Sequence, residues 1–139
     1  RDKLVTGVQT CALPILLDGR SSAVFTGKVH VHPGAQKTDS NQLNNNLLLS
    51  GDATIDTKPQ LEIFADDVKC THGSTIGQLD ENALFYLRSR GLSEVRARNL
   101  LLRAFAREVL ERLPARALAE GLDDALGACL SRASAGVSA

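Results

Sequence analysis

Cys70 and His72 are the residues of this 139-residue sequence whose types and spacing best suit metal chemistry. Residues two apart on an extended strand point to the same face, so the thiol and the imidazole can share a bound atom. Thiolates suit iron–sulfur clusters, and imidazole is a good iron ligand. On spacing alone, however, a Cys-x-His pair in a strand is more often a buried thiol beside a surface imidazole.

His30 and His32 form a second pair, in the stretch VFTGKVHVHPG. An HxH pair on one strand face is typical of a cupin-like metal-binding enzyme, in which a later acid and a third histidine complete the site. The acid is missing here, because Gln36 and Lys37 occupy the offsets where that motif needs glutamate. Lys28 shares the same face, so we favour a solvated strand face and keep the cupin-like enzyme as an alternative.

Other catalytic arrangements find little support in the sequence. Asp66 and Asp67 are adjacent, so on a strand their carboxylates point opposite ways and cannot act together as a general acid and base. We interpret them as turn residues. The sequence contains no Gly-rich phosphate loop, no GxSxG and no HExxH. We therefore predict that the chain by itself is not an enzyme.

Residues 17–79 are predicted to form the β part of the chain. Short runs with a period of two residues are broken by Gly, Asn, Asp and Pro, without a stretch of helical spacing. In one such run Phe25, Val29 and Val31 share a face. Pro59 is predicted to start a later strand, where its missing N–H is tolerated. The gaps leave no room for crossover helices, so an antiparallel meander and a β-helix both remain possible.

Three consecutive asparagines, Asn44–Asn46, precede a short apolar run and a Gly51-Asp52 turn. Their amides suit either a polar ladder across stacked coils or a turn of their own. We favour a structural role for them over a functional one.

Residues 80–132 are predicted to form a helical domain. Asp80 is a good N-cap, and Gly91 suits the position after the end of the first helix. Ser93 caps a longer amphipathic helix. Gly121 is expected to break the helical pattern again. The apolar residues that recur every four positions along the longer helix are Leu101, Phe105, Val109 and Leu113.

The two ends of the chain differ in character from its middle. Residues 1–16 have no clean period and resemble a translated sequencing-adapter sequence, so we expect a foreign or disordered segment in which Cys11 has no function. Residues 133–139 are small and polar and are predicted to form a flexible tail. The sequence contains no methionine, so we expect a fragment of a longer protein.

The charges and cysteines exclude several classes of protein. The 16 basic and 16 acidic residues balance, so the chain has no net charge to attract nucleic acid or an acidic membrane. No apolar run approaches the roughly 18 to 20 residues that span a bilayer. Cys11, Cys70 and Cys129 are far apart and form no CxxC motif, which favours reduced thiols and a cytoplasmic setting.

The helical part is locally basic, with nine arginines after Leu87 against six acids. An arginine-rich nucleic-acid-binding module is therefore a further alternative. No aromatic residue interleaves with these arginines beyond Phe105, and no recognition motif accompanies them. A solvated helix face or a protein-binding face is the favoured interpretation.

The stretch DTKPQLEIFADDVKCTHGSTIGQLDENALFYLRSRGLS, residues 56–93, resembles the C-terminal signature of the SufB/SufD family, and its SufD branch more than its SufB branch. The flanking strings PGAQKTDSNQLNNNLLLS and RARNLLLRAFAREVLERL extend the resemblance from about Val24 to Leu113. The resemblance implies a mainly β fold followed by α: the end of a right-handed parallel β-helix core plus a C-terminal helical domain.

The resemblance also implies a non-enzymatic scaffold subunit for iron–sulfur cluster assembly. Such a subunit is expected to pair with SufB through the β-helix core. The resemblance further places an assembly-site histidine at His72 and a nearby interfacial cysteine at Cys70. The remaining ligands are then expected to come from SufB. A transient Fe–S cluster or iron ion would thus be shared with SufB rather than held tightly by this chain alone.

The ATP hydrolysis of this system is expected in the SufC ATPase, which docks on the C-terminal helices of the family. We look for the docking residues between Phe85 and Leu110, because arginine and aromatic side chains suit protein interfaces. The predicted partner-binding residues are Phe85, Tyr86, Arg88, Arg90, Leu101 and Phe105.

Overall fold

The computed structural model describes residues 8–111 and 116–135 and divides into two units between Gln78 and Leu79. The strands of the first unit are β1 (Val8–Leu17), β2 (Ser22–Val31), β3 (Asp39–Leu48), β4 (Thr54–Ile63) and β5 (Lys69–Gln78). The helices of the second unit are α1 (Glu81–Ser89), α2 (Glu94–Leu110) and α3 (Arg116–Ala135). The predicted order, β followed by α, is confirmed.

The strands alternate between two parallel sheets. β1, β3 and β5 form one sheet in that order, and β2 pairs with β4 in the other. Val8 lies beside Asp39, which in turn lies beside Lys69, so the pairing keeps one register across the larger sheet. Parallel pairing of strands that are not consecutive rules out an antiparallel meander for this unit.

An apolar cluster packs between the two sheets at one end of the unit. Leu17, Ala53 and Ile55 are its buried members, and residues of both sheets pack against it. In β2, every second residue from Ser22 to His30 is exposed, whereas the residues between them are half-buried and Val31 is buried. This alternation agrees with the predicted two-faced strand. Each sheet therefore has an inner face toward the other sheet and an outer face toward solvent.

The inner face of β3 is polar rather than apolar. Its buried alternate residues are Ser40, Gln42, Asn44 and Asn46. Asn44 is fully buried, and its Nδ2 donates to the backbone oxygen of Leu13 in β1 at 3.2 Å. Asn46 Nδ2 donates to Asn44 Oδ1 and to the backbone oxygen of Thr75 in β5, both at 2.8 Å. The asparagines thus form a ladder across three strands, and the interpretation of them as a turn is wrong.

Pro59 lies in the middle of β4, opposite Gly27 of β2, so the prediction that it starts a strand is wrong. A proline fits there because β4 has one described neighbour, and on an edge strand alternate N–H groups point away from that neighbour. Gly27 marks a close approach inside the unit. A Cβ atom at this position would lie 2.1 Å from Nε2 of Gln42.

The predicted helix caps are confirmed. Asp80 Oδ1 accepts hydrogen bonds from the backbone N–H groups of Asn82 and Ala83, at 2.8 and 3.3 Å. Ser93 Oγ accepts from the N–H of Arg96 at 3.4 Å at the start of α2. Gly91 has a φ of 91°, the left-handed conformation that glycine adopts without strain. None of the helices in the described parts is long and apolar enough to cross a membrane.

α3 continues through Gly121, so the prediction of a break there is wrong. Glycine in a helix interior costs about 1 kcal/mol relative to alanine. A tertiary contact offsets this cost: Arg103 of α2 donates to Asp123 of α3, with 2.7 Å between Nη2 and Oδ2. The hydrogen bond and charge of Asp123 raise the pKa of the Arg103 guanidinium.

The predicted end segments fall partly outside the described residues. Of segment 1–16, residues 1–7 lie outside, whereas residues 8–16 belong to β1 and pair with β3. The foreign origin of the segment stays a prediction. Of the tail at 133–139, residues 133–135 continue α3 and residues 136–139 lie outside.

We predict that Asn44→Ala lowers the free energy of unfolding by about 2 kcal/mol, because it leaves buried polar partners without a hydrogen bond. Denaturation of the 139-residue chain followed by circular dichroism measures the change. The matched control is Asn45→Ala on the opposite face of β3, which loses one exposed hydrogen bond to Thr75. We expect less than about 1 kcal/mol for the control. Equal losses in the two variants would contradict a buried ladder.

Candidate functional site

β5 places Cys70 and His72 in register with the buried polar row of β3. Cys70 lies beside Ser40, and His72 lies beside Gln42. Residues paired in a parallel sheet point to the same side, so both side chains project from the inner face. Cys70 is half-buried and His72 is exposed. The structure therefore brings the two predicted ligands onto one face of one strand.

The next residue of the same row, Ser74, confirms the direction of this face. Its Oγ lies 3.3 Å from Asn44 Oδ1 and 2.8 Å from Oγ1 of Thr57, which belongs to β4 of the other sheet. On the outer face of β5, Thr71 and Thr75 instead donate to the exposed amides of their β3 neighbours. The inner row of β5 consists of Cys70, His72, Ser74 and Ile76.

This inner row is exposed because β5 is an edge strand of the described sheet. No described strand follows β4 in the other sheet to cover it. Ile76 accordingly keeps 55% of its surface exposed, although its β3 partner Asn46 is buried. The predicted ligand His72 and an uncovered apolar side chain thus share one open face. A face of this kind suits completion by another protein chain.

Cys70 and His72 supply at most two ligands of a metal site. Among the described residues, no group of three or more His, Cys, Asp or Glu side chains is placed to hold a metal ion. Iron–sulfur clusters require several thiolate or imidazole ligands. The predicted pair therefore lacks further His, Cys, Asp or Glu ligands among the described residues.

His30 lies on the exposed outer face of β2, and His32 directly follows the end of this strand. His30 Nδ1 lies 3.0 Å from Glu62 Oε2, and Lys28 Nζ lies 2.5 Å from the other carboxylate oxygen of Glu62. Hydrogen bonds from Lys28 and then His30 lower the pKa of the Glu62 carboxyl. The ring centroids of His30 and His32 are 4.5 Å apart.

Gln36 and Lys37, at the positions where the cupin motif would carry its acid, both bond to Asp67. Gln36 Oε1 accepts a hydrogen bond from the backbone N–H of Asp67 at 2.9 Å. Lys37 forms an ion pair with the Asp67 carboxylate, and its own backbone N–H also bonds to Asp67. Asp67 therefore holds two corners of the unit together, in agreement with the interpretation of Asp66 and Asp67 as turn residues.

The predicted partner-binding residues of α1 are exposed. Phe85 and Tyr86 keep 74% and 56% of their surfaces exposed. Arg90 lies over the Tyr86 ring, with its guanidinium carbon 5.1 Å from the centroid. Arg88 lies 3.5 Å from Glu94 at the start of α2. The second half of α1 and the residue after it thus present two exposed aromatic rings and two guanidinium groups. Aromatic residues and arginine are enriched in protein interfaces.

Leu101 and Phe105 of α2 are half-buried and are therefore less available than Phe85. The buried residues of α2 are Ala97 and Leu102. The buried face of this helix is therefore shifted from the predicted apolar row that contains Leu101 and Phe105. The small side chain of Ala97 gave no strong apolar signal. Its side chain is nevertheless fully buried.

Sequence reasoning missed Gln42, Thr57 and Ser74 as neighbours of the candidate site. The alternating polar residues of β3 and β5 have the pattern of a solvated face, although in β3 that face is buried. A signal was present in the polar row of β3, where Ser, Gln, Asn and Asn recur at every second residue. Only the pairing of strands distant in sequence shows that this row lies inside.

Comparison with known proteins identifies the family. The sequence profile described as SUF system FeS cluster assembly, SufBD core domain, matches residues 12–105, which is more than half of the chain and includes both Cys70 and His72. The chain belongs to the SufB/SufD family. The match begins inside segment 1–16 and ends within α2, so α3 lies beyond it.

Several curated SufB/SufD relatives are similar over the same part of the chain. An iron-sulfur cluster assembly SufBD family protein of Synechocystis is 54% identical over 99 residues, 71% of this chain and 22% of its own length. The iron-sulfur cluster assembly protein SufD of Escherichia coli is 49% identical over 98 residues, 70% of this chain and 23% of its own. The chloroplastic protein ABCI7 of Arabidopsis thaliana is 45% identical over 102 residues, with shares of 73% and 22%. The chain therefore matches less than a quarter of the length of these relatives.

Proposed function

We propose that this chain is part of a non-enzymatic scaffold subunit for iron–sulfur cluster assembly. The support is its membership of the SufB/SufD family together with its similarity to the iron-sulfur cluster assembly protein SufD of Escherichia coli. We further propose that its alternating parallel strands form the end of a right-handed β-helix. The alternation of β1 to β5 between two parallel sheets with one register is the arrangement that stacked coils produce.

The register that aligns Cys70 with Ser40 and His72 with Gln42 carries the functional proposal. It directs a thiol and an imidazole from one open inner face, where a second chain has access to both. We propose that this pair contributes to a nascent-cluster site at an interface with SufB, which supplies the missing ligands. The bound species is then a transient Fe–S cluster or iron ion shared between the two chains.

We propose that the helical unit docks the SufC ATPase through α1 and the turn that follows it. Phe85 and Tyr86 are large aromatic residues that remain exposed, and large exposed apolar residues are typical anchors of protein interfaces. A cleft of about 410 Å³ between α1 and α2 is lined by Phe85, Arg88 and Glu94.

The arginine-rich nucleic-acid-binding alternative has less support. Arg103 is bound to Asp123, Arg88 to Glu94, and Arg90 covers the Tyr86 ring. Arginines held by acids and rings within the helical unit do not form a continuous basic surface for phosphates. Cys11, Cys70 and Cys129 are free, which agrees with a reducing compartment, and we extend the proposal to a cytoplasmic setting.

His72→Ala in the full-length parent protein is predicted to reduce iron–sulfur cluster assembly in vivo strongly, because an imidazole ligand is lost at the shared site. Cys70→Ser is also expected to reduce cluster assembly, since the hydroxyl is a poorer ligand for iron than a thiolate. The measurement is the activity of an iron–sulfur enzyme in cells that depend on this assembly system.

Thr71→Ala is the matched control for both variants. Thr71 lies between Cys70 and His72 on the outer face of the same strand, where it donates to Asn41 at 3.1 Å. We expect wild-type assembly in this variant, with all the variants expressed to equal levels. Undiminished assembly in His72→Ala would remove this residue from the site.

Phe85→Ala combined with Tyr86→Ala is predicted to weaken SufC binding by about 2 kcal/mol or more, which is about thirty-fold in Kd. The reason is the loss of two aromatic anchors without a buried residue of α1 being changed. Titration calorimetry with the full-length parent protein and purified SufC measures the effect.

Leu118→Ala is the control for this prediction. Leu118 is 55% exposed, as Tyr86 is, but it lies on α3 outside the family match. We expect SufC binding within twofold of wild type. If the aromatic double variant binds as tightly as this control, docking does not use α1 and the turn that follows it.

A further inference from the structure

His30 lies near the end of β2, where its side chain is exposed, and His32 directly follows the last residue of this strand. Their rings approach to a centroid distance of 4.5 Å in an edge-on arrangement, with 67° between the ring planes. We propose that these two imidazoles bind a divalent first-row metal ion of the zinc class, at a site separate from Cys70 and His72. Imidazole is a ligand suited to zinc, copper, nickel and iron.

Glu62 supplies the acid that the motif lacks in its own strand. The register of β2 and β4 places Glu62 directly beside His30. A carboxylate accepts hydrogen bonds only, so the 3.0 Å contact means that His30 Nδ1 carries the hydrogen and donates it to Glu62. The lone pair of His30 then lies on Nε2. Metal-binding histidines commonly donate their other ring N–H to a carboxylate in this way.

The second ligand, His32, is close enough to complete a chelate. A metal held by two nitrogens at 2.0 to 2.1 Å in tetrahedral geometry keeps them about 3.3 Å apart. Two rings whose centroids are 4.5 Å apart can bring one nitrogen each to this separation. The Phe64 ring also lies beside His30, with 5.2 Å between the centroids and 46° between the ring planes.

Lys28 fixes the role of Glu62. Its ammonium group bonds to Oε1 of Glu62, while His30 bonds to Oε2. Both carboxylate oxygens are therefore occupied, so Glu62 acts as a positioning residue and not as a ligand. The metal keeps open positions for water or for a ligand from another molecule. The Lys28 charge near the site opposes a bound cation and limits its affinity.

Titration of the 139-residue chain with Zn²⁺ tests the proposal, with the nitrogen resonances of the histidine rings as the readout. NMR spectra of the three histidines distinguish the two sites directly. We expect the His30 and His32 rings to shift together and to saturate at one equivalent of Zn²⁺. His30→Ala and His32→Ala should each weaken binding at this site at least tenfold.

The matched control is His72→Ala, which should leave Zn²⁺ binding at the outer site within twofold of wild type. Glu62→Gln should weaken binding about tenfold and remove the preference of His30 for the Nδ1–H tautomer in the metal-free spectrum. Lys28→Gln should strengthen binding, because a like charge is removed.

Three outcomes would overturn the proposal. They are unshifted His30 and His32 rings at ten equivalents of Zn²⁺, wild-type affinity in both alanine variants, or a shift confined to His72. The last outcome would leave the proposed cluster site intact, whereas loss of cluster assembly in His72→Ala cells says nothing about the outer site. The two proposals therefore fail independently.

Discussion

The parallel register of β1, β3 and β5, fixed by buried asparagines, is the constraint on which the first unit depends. Asn44 bonds to the backbone of β1, and Asn46 bonds to the backbone of β5. A register slip would leave both side-chain amides without their hydrogen-bond partners. Each buried amide without a partner costs about 1 to 3 kcal/mol. A slip of one residue would also turn every side chain to the other face. The ladder thereby specifies which residues of β5 face inward.

The register of β5 also determines where the two predicted metal ligands lie. Because Asn44 and Asn46 hold β5 in place, Cys70 and His72 project from the inner face, while Thr71 projects outward between them. The pair is exposed only because no described strand covers this edge. The proposed shared site needs ligands that are fixed by a rigid sheet and still accessible to a second chain. Rigid pairing on one side of β5 and an open edge on the other satisfy both needs.

The outer face of the smaller sheet shows the same principle applied to charge. Register places Glu62 beside His30, and Lys28 shares the carboxylate. These residues come from strands separated by a whole intervening strand, so their contact is a property of the pairing and not of a local motif. A contact between residues distant in sequence also links α2 to α3, because Arg103 of α2 forms an ion pair with Asp123 of α3. Gly121, which lowers helix stability, lies two residues before Asp123 in α3.

The sequence by itself determined the order of β and helical parts, the two faces of β2 and the caps at Asp80 and Ser93, because period and capping act over a few residues. It also carried the family resemblance around Cys70 and His72. It misplaced Pro59 and Gly121, since strand edges and helix–helix contacts override local preference. Only the tertiary structure decided the register of the parallel strands, the inward position of Asn44 and Asn46, and the contact of Glu62 with His30. These depend on register between residues some thirty positions apart, which no local pattern encodes.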